Sequence, residues 1–120
     1  GFIMAYFGNN SITAWGQYND NNNDLRDNRN IGSVTNHATG ELTWNFSNGF
    51  LNDDYCVVAS CAGVNGTNSV MLTPATQYSG IAYNSSYQTT GACRVTIADR
   101  GGTTRESQQI NIMFIGDFTV

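Results

Sequence analysis

Strict alternation of apolar and polar residues marks the clearest elements of the chain. In Glu41-Leu42-Thr43-Trp44-Asn45-Phe46-Ser47 every second residue is large and apolar, so on an extended backbone Leu42, Trp44 and Phe46 share one face. Cys93, Val95 and Ile97 do the same over residues 93–99. Both segments predict half-buried β-strands. Residues 55–61 and 110–118 are almost continuously apolar and predict strands covered on both faces. In a domain this small the second cover is expected from another subunit, which makes Val57, Ile112 and Phe114 candidate subunit contacts. Weaker strand patterns lie at 2–7, 12–18, 31–35, 69–73 and 81–83.

Turn signals separate these runs: Gly8-Asn9-Asn10, the Asp- and Asn-rich stretch 20–24, Ala38-Thr39-Gly40, Ser47-Asn48-Gly49, Asn65-Gly66 and Gly101-Gly102. No segment carries a helical period, while Thr, Val, Ile, Tyr, Phe and Gly are common. The expectation is an all-β chain: one domain over residues 1–120, folded as an antiparallel β-sandwich or barrel-like knob. The longest stretch without a strand pattern is 74–91. It sets Tyr78, Tyr83 and Tyr87 among small polar residues, beside Asn84 and Gln88. Long loops inside compact domains are usually functional. A tyrosine offers an apolar face and a hydroxyl at low entropic cost, which suits a recognition surface. Tyr78, Tyr83, Asn84, Tyr87 and Gln88 are therefore the candidate receptor-binding residues. The competing reading is that these tyrosines pack a long loop onto the body.

Composition narrows the partners. Of 120 residues only 12% are charged, about half the usual share, none is lysine, and the formal net charge is -4. Nucleic-acid binding needs clustered Lys and Arg, and five scattered arginines do not supply it. The same argument speaks against an anionic membrane surface. No run approaches the roughly 20 apolar residues of a membrane helix. The opening Gly1-Phe2-Ile3-Met4-Ala5-Tyr6-Phe7 has neither an initiator Met nor the basic region of a signal peptide. The chain is expected to be a piece of a longer protein.

Candidate chemistry is sparse. Three cysteines cannot form a closed disulfide set. On one strand Cys56 and Cys61 would lie roughly 16 Å apart on opposite faces. A Cys61–Cys93 pair stays open, but small buried thiols in a reducing cytoplasm fit the count better. The run Asp20-Asn21-Asn22-Asn23-Asp24 starts like a calcium loop, yet Leu25 and Ile31 stand where an EF-hand needs Gly and Glu. A polar turn explains the run as well. The single histidine, His37, lies in a turn pattern and is read as solvated. The adjacent carboxylates Asp53 and Asp54 would point apart on a strand. No catalytic residue, metal site or cofactor is expected, and the chain is read as a binding module rather than an enzyme.

One longer pattern is more specific. Ala14-Trp15-Gly16-Gln17-Tyr18-Asn19 precedes an Asn-rich turn, followed by Leu25-Arg26-Asp27-Asn28-Arg29-Asn30-Ile31-Gly32-Ser33-Val34-Thr35. Then come Thr39-Gly40-Glu41-Leu42-Thr43-Trp44-Asn45-Phe46 and Asn52-Asp53-Asp54-Tyr55-Cys56-Val57-Val58. In order and spacing this series resembles the C-terminal domains of phage and prophage tail fibres. The stretch from Ile110 to Asp117 is similar to that family's final strand. Leu25 in place of Ile, and Phe50-Leu51-Asn52 in place of a Met-Pro, are departures, and the Tyr-rich stretch 74–91 matches none of it. The resemblance implies a homotrimeric fibre tip, made in the host cytoplasm and carried on the virion. Its partner would be a host cell-surface glycan or an outer-membrane protein. Two other readings keep the fold: a structural virion appendage without a receptor role, and a carbohydrate-binding module of a secreted bacterial protein.

Overall fold

Where the sequence alternates, the backbone extends. In a computed structural model, residues 13–62, 69–72, 85–99 and 101–117 are described. They form eight strands: β1 (Ala14–Asn19), β2 (Asp24–Arg29), β3 (Ile31–Ala38), β4 (Glu41–Phe46), β5 (Cys56–Cys61), β6 (Ser69–Leu72), β7 (Ala92–Asp99) and β8 (Ile110–Ile115). A short 3-10 turn, Ser85–Tyr87, precedes β7, and the described residues contain no α-helix. The strands make two four-stranded sheets, ordered β2-β1-β8-β5 and β3-β4-β7-β6, with every neighbouring pair antiparallel. The chain is thus all-β.

Both sheets contribute to one buried core. The first supplies Ala14, Tyr18, Ile110, Ile112 and Phe114; the second supplies Leu42, Trp44, Cys93, Val95 and Ile97. Burial of this apolar surface is the main stabilising term. At one end Phe46 lies edge-on to Phe114, Phe50 and Tyr55, at ring separations of 4.8, 4.9 and 5.5 Å. Phe50 and Tyr55 stack at 4.4 Å.

The core accounts for residues expected at a subunit contact. Ile112 and Phe114 are fully buried inside this one chain, and Val57 packs against the same cluster. The second sheet is what covers them. Strand β8 looked doubly covered because Met113 and Ile115, its outward residues, are also apolar. On β5 the outward positions are Cys56, Val58 and Ser60. Any subunit contact on these strands must therefore use the alternate residues.

Two segments differ from their sequence reading. Residues 24–29, read as turn and link, form β2, an edge strand whose one apolar residue is Leu25. His37, read as a turn residue, lies on β3. The patterns at 2–7 and 81–83 fall outside the described residues.

The corners carry the unusual backbone. A single residue, Asn30, turns the chain from β2 in one sheet to β3 in the other, with φ 60°. Asn tolerates this left-handed region better than most residues. Its side chain is clamped: Nδ2 donates to the Asn48 carbonyl at 3.0 Å, and Oδ1 accepts the Asn48 N–H at 2.7 Å. Gly40 ends the β3–β4 turn at φ 71°, and a Cβ there would sit 2.5 Å from the Ile97 carbonyl oxygen and 2.8 Å from that of Arg105.

Gly40→Ala should therefore cost about 2–4 kcal/mol, from left-handed strain plus displaced backbone hydrogen bonds. Gly91→Ala, which meets nothing within 4 Å, should stay within about 0.5 kcal/mol of the parent. Urea unfolding of the two variants checks the contrast.

Candidate recognition face

The outer positions of β3 and β4, with Arg94 of β7, form a polar surface; farther along β7 the outward Thr96 and Ala98 are buried. Alternation turns Leu42 and Trp44 inward and leaves Glu41, Thr43 and Asn45 facing out. Asn45 Nδ2 donates to Ser33 Oγ (3.1 Å) and Thr35 Oγ1 (3.0 Å) on β3. His37 Nε2 and Thr43 Oγ1 are hydrogen-bonded at 2.7 Å. Register places Thr35, Thr43 and Arg94 in one row across the three strands. Hydroxyls, amides and an imidazole thus lie side by side.

Arg94 joins this face to the Tyr87 ring. Its guanidinium carbon sits 4.9 Å from the centroid of the Tyr87 ring, a cation–π arrangement. Its Nη2 donates to Glu41 Oε1 at 3.2 Å. The pair is partly exposed, so it adds little stability; its effect is to hold the guanidinium and the ring in a fixed relation. The guanidinium keeps further N–H donors beyond the one given to Glu41. A flat ring beside fork-like donors on a hydroxyl- and amide-rich sheet is suited to a ligand with alternating apolar faces and hydroxyls, such as a sugar.

Of the candidate receptor-binding residues, Tyr87 belongs to this face. Gln88 does not present its amide N–H groups to a ligand: Nε2 donates to the carbonyls of Asp53 (2.9 Å) and Tyr55 (2.8 Å). Gln88 also bridges to Cys93 in a short β-contact. Tyr55 completes the fastening, its hydroxyl donating to the Thr89 carbonyl at 2.8 Å. Burial pushes the Tyr55 hydroxyl far above its ordinary pKa, so it stays a donor. Tyr78, Tyr83 and Asn84 lie outside the described residues. Sequence reasoning missed Arg94 as the partner of Tyr87. Its outward direction was readable from the 93–97 alternation, but a contact made seven residues away through a turn was not.

The other candidate chemistry is distributed as follows. The three thiols are free: Cys56 exposed, Cys61 partly covered and Cys93 buried. Burial raises the pKa of Cys61 and pushes that of Cys93 up to about 12, which keeps Cys93 a neutral thiol. Among the described residues no group of three or more His, Cys, Asp or Glu side chains could hold a metal ion. No protein-family model, curated protein or solved structure matches the chain.

Gln88→Ala should lower stability by about 1–2 kcal/mol, because two backbone carbonyls lose a donor. Arg94→Ala, which removes a half-exposed pair, should move it by less than about 1 kcal/mol. Thermal melts of both variants read the difference.

Proposed function

We propose that the chain is the receptor-binding tip of a phage tail fibre, a β-sandwich knob that trimerises and attaches the virion to a host cell-surface glycan or outer-membrane protein. The observation carrying this reading is the tail-fibre-like series from Trp15 to Ser60, in which order and spacing both hold. The segments of that series correspond to β1 through β5. The Tyr87–Arg94 face adds a surface suited to a hydroxylated ligand. Binding on this reading needs no catalytic group.

The outer face of the first sheet supports self-association. Val58 pairs with Met113, and Met113 with Trp15, giving one outward row across β5, β8 and β1. Val58 is 48% exposed and Ile115 39%. Cys56, Ser60, Asn111 and Gln17 surround them, and charge enters beyond Trp15 and Gln17, at Arg29 and Asp27 of the β2 edge. The charge-depleted apolar centre over β5 and β8 is typical of lasting interfaces, and identical copies can meet there with the charged edge left at the rim.

A fluorescently labelled domain should stain a subset of a bacterial panel. The double change Tyr87→Ala, Arg94→Ala should abolish staining while the melting temperature moves little; unchanged staining would remove this face from the reading. Light scattering should give three times 13.0 kDa for the parent. Val58→Asp should yield a folded monomer, whereas Phe114→Asp should unfold the chain because a buried unpaired charge is costly. A parent that is monomeric at micromolar concentration would sink the trimer.

A further inference from the structure

Asp20 stands at a junction of three segments. It begins the β1–β2 turn, and its N–H donates to the Ser107 carbonyl at 2.9 Å, which ties the turn to the 101–109 connection. Its Oδ1 accepts Asn36 Nδ2 of β3 at 3.1 Å. The same Asn36 amide reaches Asn23 Oδ1 at 2.7 Å, and that oxygen also accepts the Tyr18 hydroxyl at 3.0 Å. Asn23 is held at φ 56°. Asp20 is 1% exposed, and its second carboxylate oxygen, Oδ2, has no hydrogen-bond partner among the described residues. A buried carboxylate with an unsatisfied oxygen is an expensive arrangement in its charged form.

Among the described residues no cation pairs with that charge. Glu106, on the 101–109 connection, adds like-charge repulsion. Tyr18 on β1 is neutral: burial foremost, then Asp20 and Asp24, keep its hydroxyl protonated. Asn36 on β3 is uncharged. His37, the next residue, is bonded to Thr43 on the outer face. Glu41 is paired with Arg94, and Arg105 with Asp99. The Gly40 backbone and the Asn36 amide donate toward the carboxylate and favour its charged form, but they do not outweigh burial. Burial first, and Glu106 second, raise the Asp20 carboxyl from 3.8 to about 6.

We propose that Asp20 is an acid-operated clasp, whose protonation removes a buried charge left with one oxygen unbonded and tightens the junction of the β1–β2 turn, β3 and the 101–109 connection. The direction follows from linkage. A carboxyl whose folded pKa is raised binds its proton more tightly in the folded state. Its stabilisation is complete below about 4, the unfolded value, and is lost as pH rises through about 6. Asp99 works the other way: Arg105 foremost, with the Thr103 and Gly101 N–H groups, lowers its pKa, so its stabilisation is lost only in stronger acid. The window in which Asp20 governs lies between about pH 4.5 and 7.5. A cation in the same place is disfavoured because the Asn36 amide already points its hydrogens at Asp20 Oδ1 and Asn23 Oδ1.

The test uses the whole chain. Between pH 7.5 and 5.0 the unfolding equilibrium constant of the parent should fall by roughly 10-fold, and the melting temperature should rise by several degrees. Asp20→Asn should melt higher than the parent at pH 7.5 and change little over that range. In the parent, the Asp20 carboxyl carbon followed by NMR should titrate near 6, and in Glu106→Gln at a lower pH. The NMR titration decides the matter even if Asp20→Asn fails to fold. A midpoint near 4, or an acid-induced rise that survives in Asp20→Asn, would overturn the proposal. So would a stabilisation by millimolar calcium at pH 7.5 that Asp20→Asn abolishes, since a cation rather than a proton would then occupy the junction.

Discussion

Trp44 fits between the two sheets because Gly16, on the facing strand, has no side chain. A Cβ on Gly16 would come within 2.7 Å of Trp44 Cζ3. The indole is completely buried, with Tyr18 edge-on at 5.8 Å and Phe114 tilted at 6.3 Å. Its Nε1 has no hydrogen-bond partner, so the ring is held by packing alone. That costs one unmet donor, offset by the large apolar area a tryptophan buries. The fit also fixes register. Trp44 pairs with Val34 and Cys93, and Gly16 with Asn28 and Ile112. A slip of one residue on β4 would drive Thr43 or Asn45 into the core and turn the indole to solvent.

With the inner positions committed to that core, the outer faces are free to differ, and they do. The first sheet shows Val58, Met113, Trp15 and Ile115, bordered by an amide ladder in which Gln17 Nε2 donates to Asn111 Oδ1 and Asn111 Nδ2 to Ser60 Oγ. The second shows hydroxyls, amides, His37 and the Arg94–Tyr87 pair. The first sheet's apolar centre over β5 and β8, with Arg29 and Asp27 out on the β2 edge, favours contact with its own kind. A wet polar face keeps its donors available. The two roles proposed for this chain thus fall on opposite sides of one core, where changes to either need not disturb the other.

The strands readable in the sequence are those in which one face is apolar and the other is not. Leu42, Trp44 and Phe46, or Cys93, Val95 and Ile97, give a period of two that only a half-buried strand explains. Strand β8 was found, but its inner and outer faces could not be told apart, because Met113 and Ile115 look like core residues when written in a line. Strand β2 was missed for the opposite reason: an exposed edge strand needs backbone pairing to β1 and only Leu25 for packing, so its sequence reads as a turn. At the site, Tyr87 was found by its chemistry. Gln88 carries the same chemistry but spends it on the Asp53 and Tyr55 carbonyls, a long-range pairing that no local pattern encodes.

The scarcity of charge explains how the corners are held. Where another domain would use ion pairs, this one uses asparagine: Asn30 clamps Asn48 at the passage between sheets, and Asn36 links Asp20 to Asn23 at the opposite corner. Neutral amide bonds are not screened by salt as exposed ion pairs are. They also leave few cations to spare. Of the two aspartates in comparable turns, Asp99 receives Arg105 and two backbone N–H groups, and its carboxyl is stabilised as an anion. Asp20 receives an amide, faces Glu106, and is buried. The two turns share a residue type and have opposite electrostatics: burial comes first at Asp20, and the arginine that the chain supplied to the other corner comes first at Asp99.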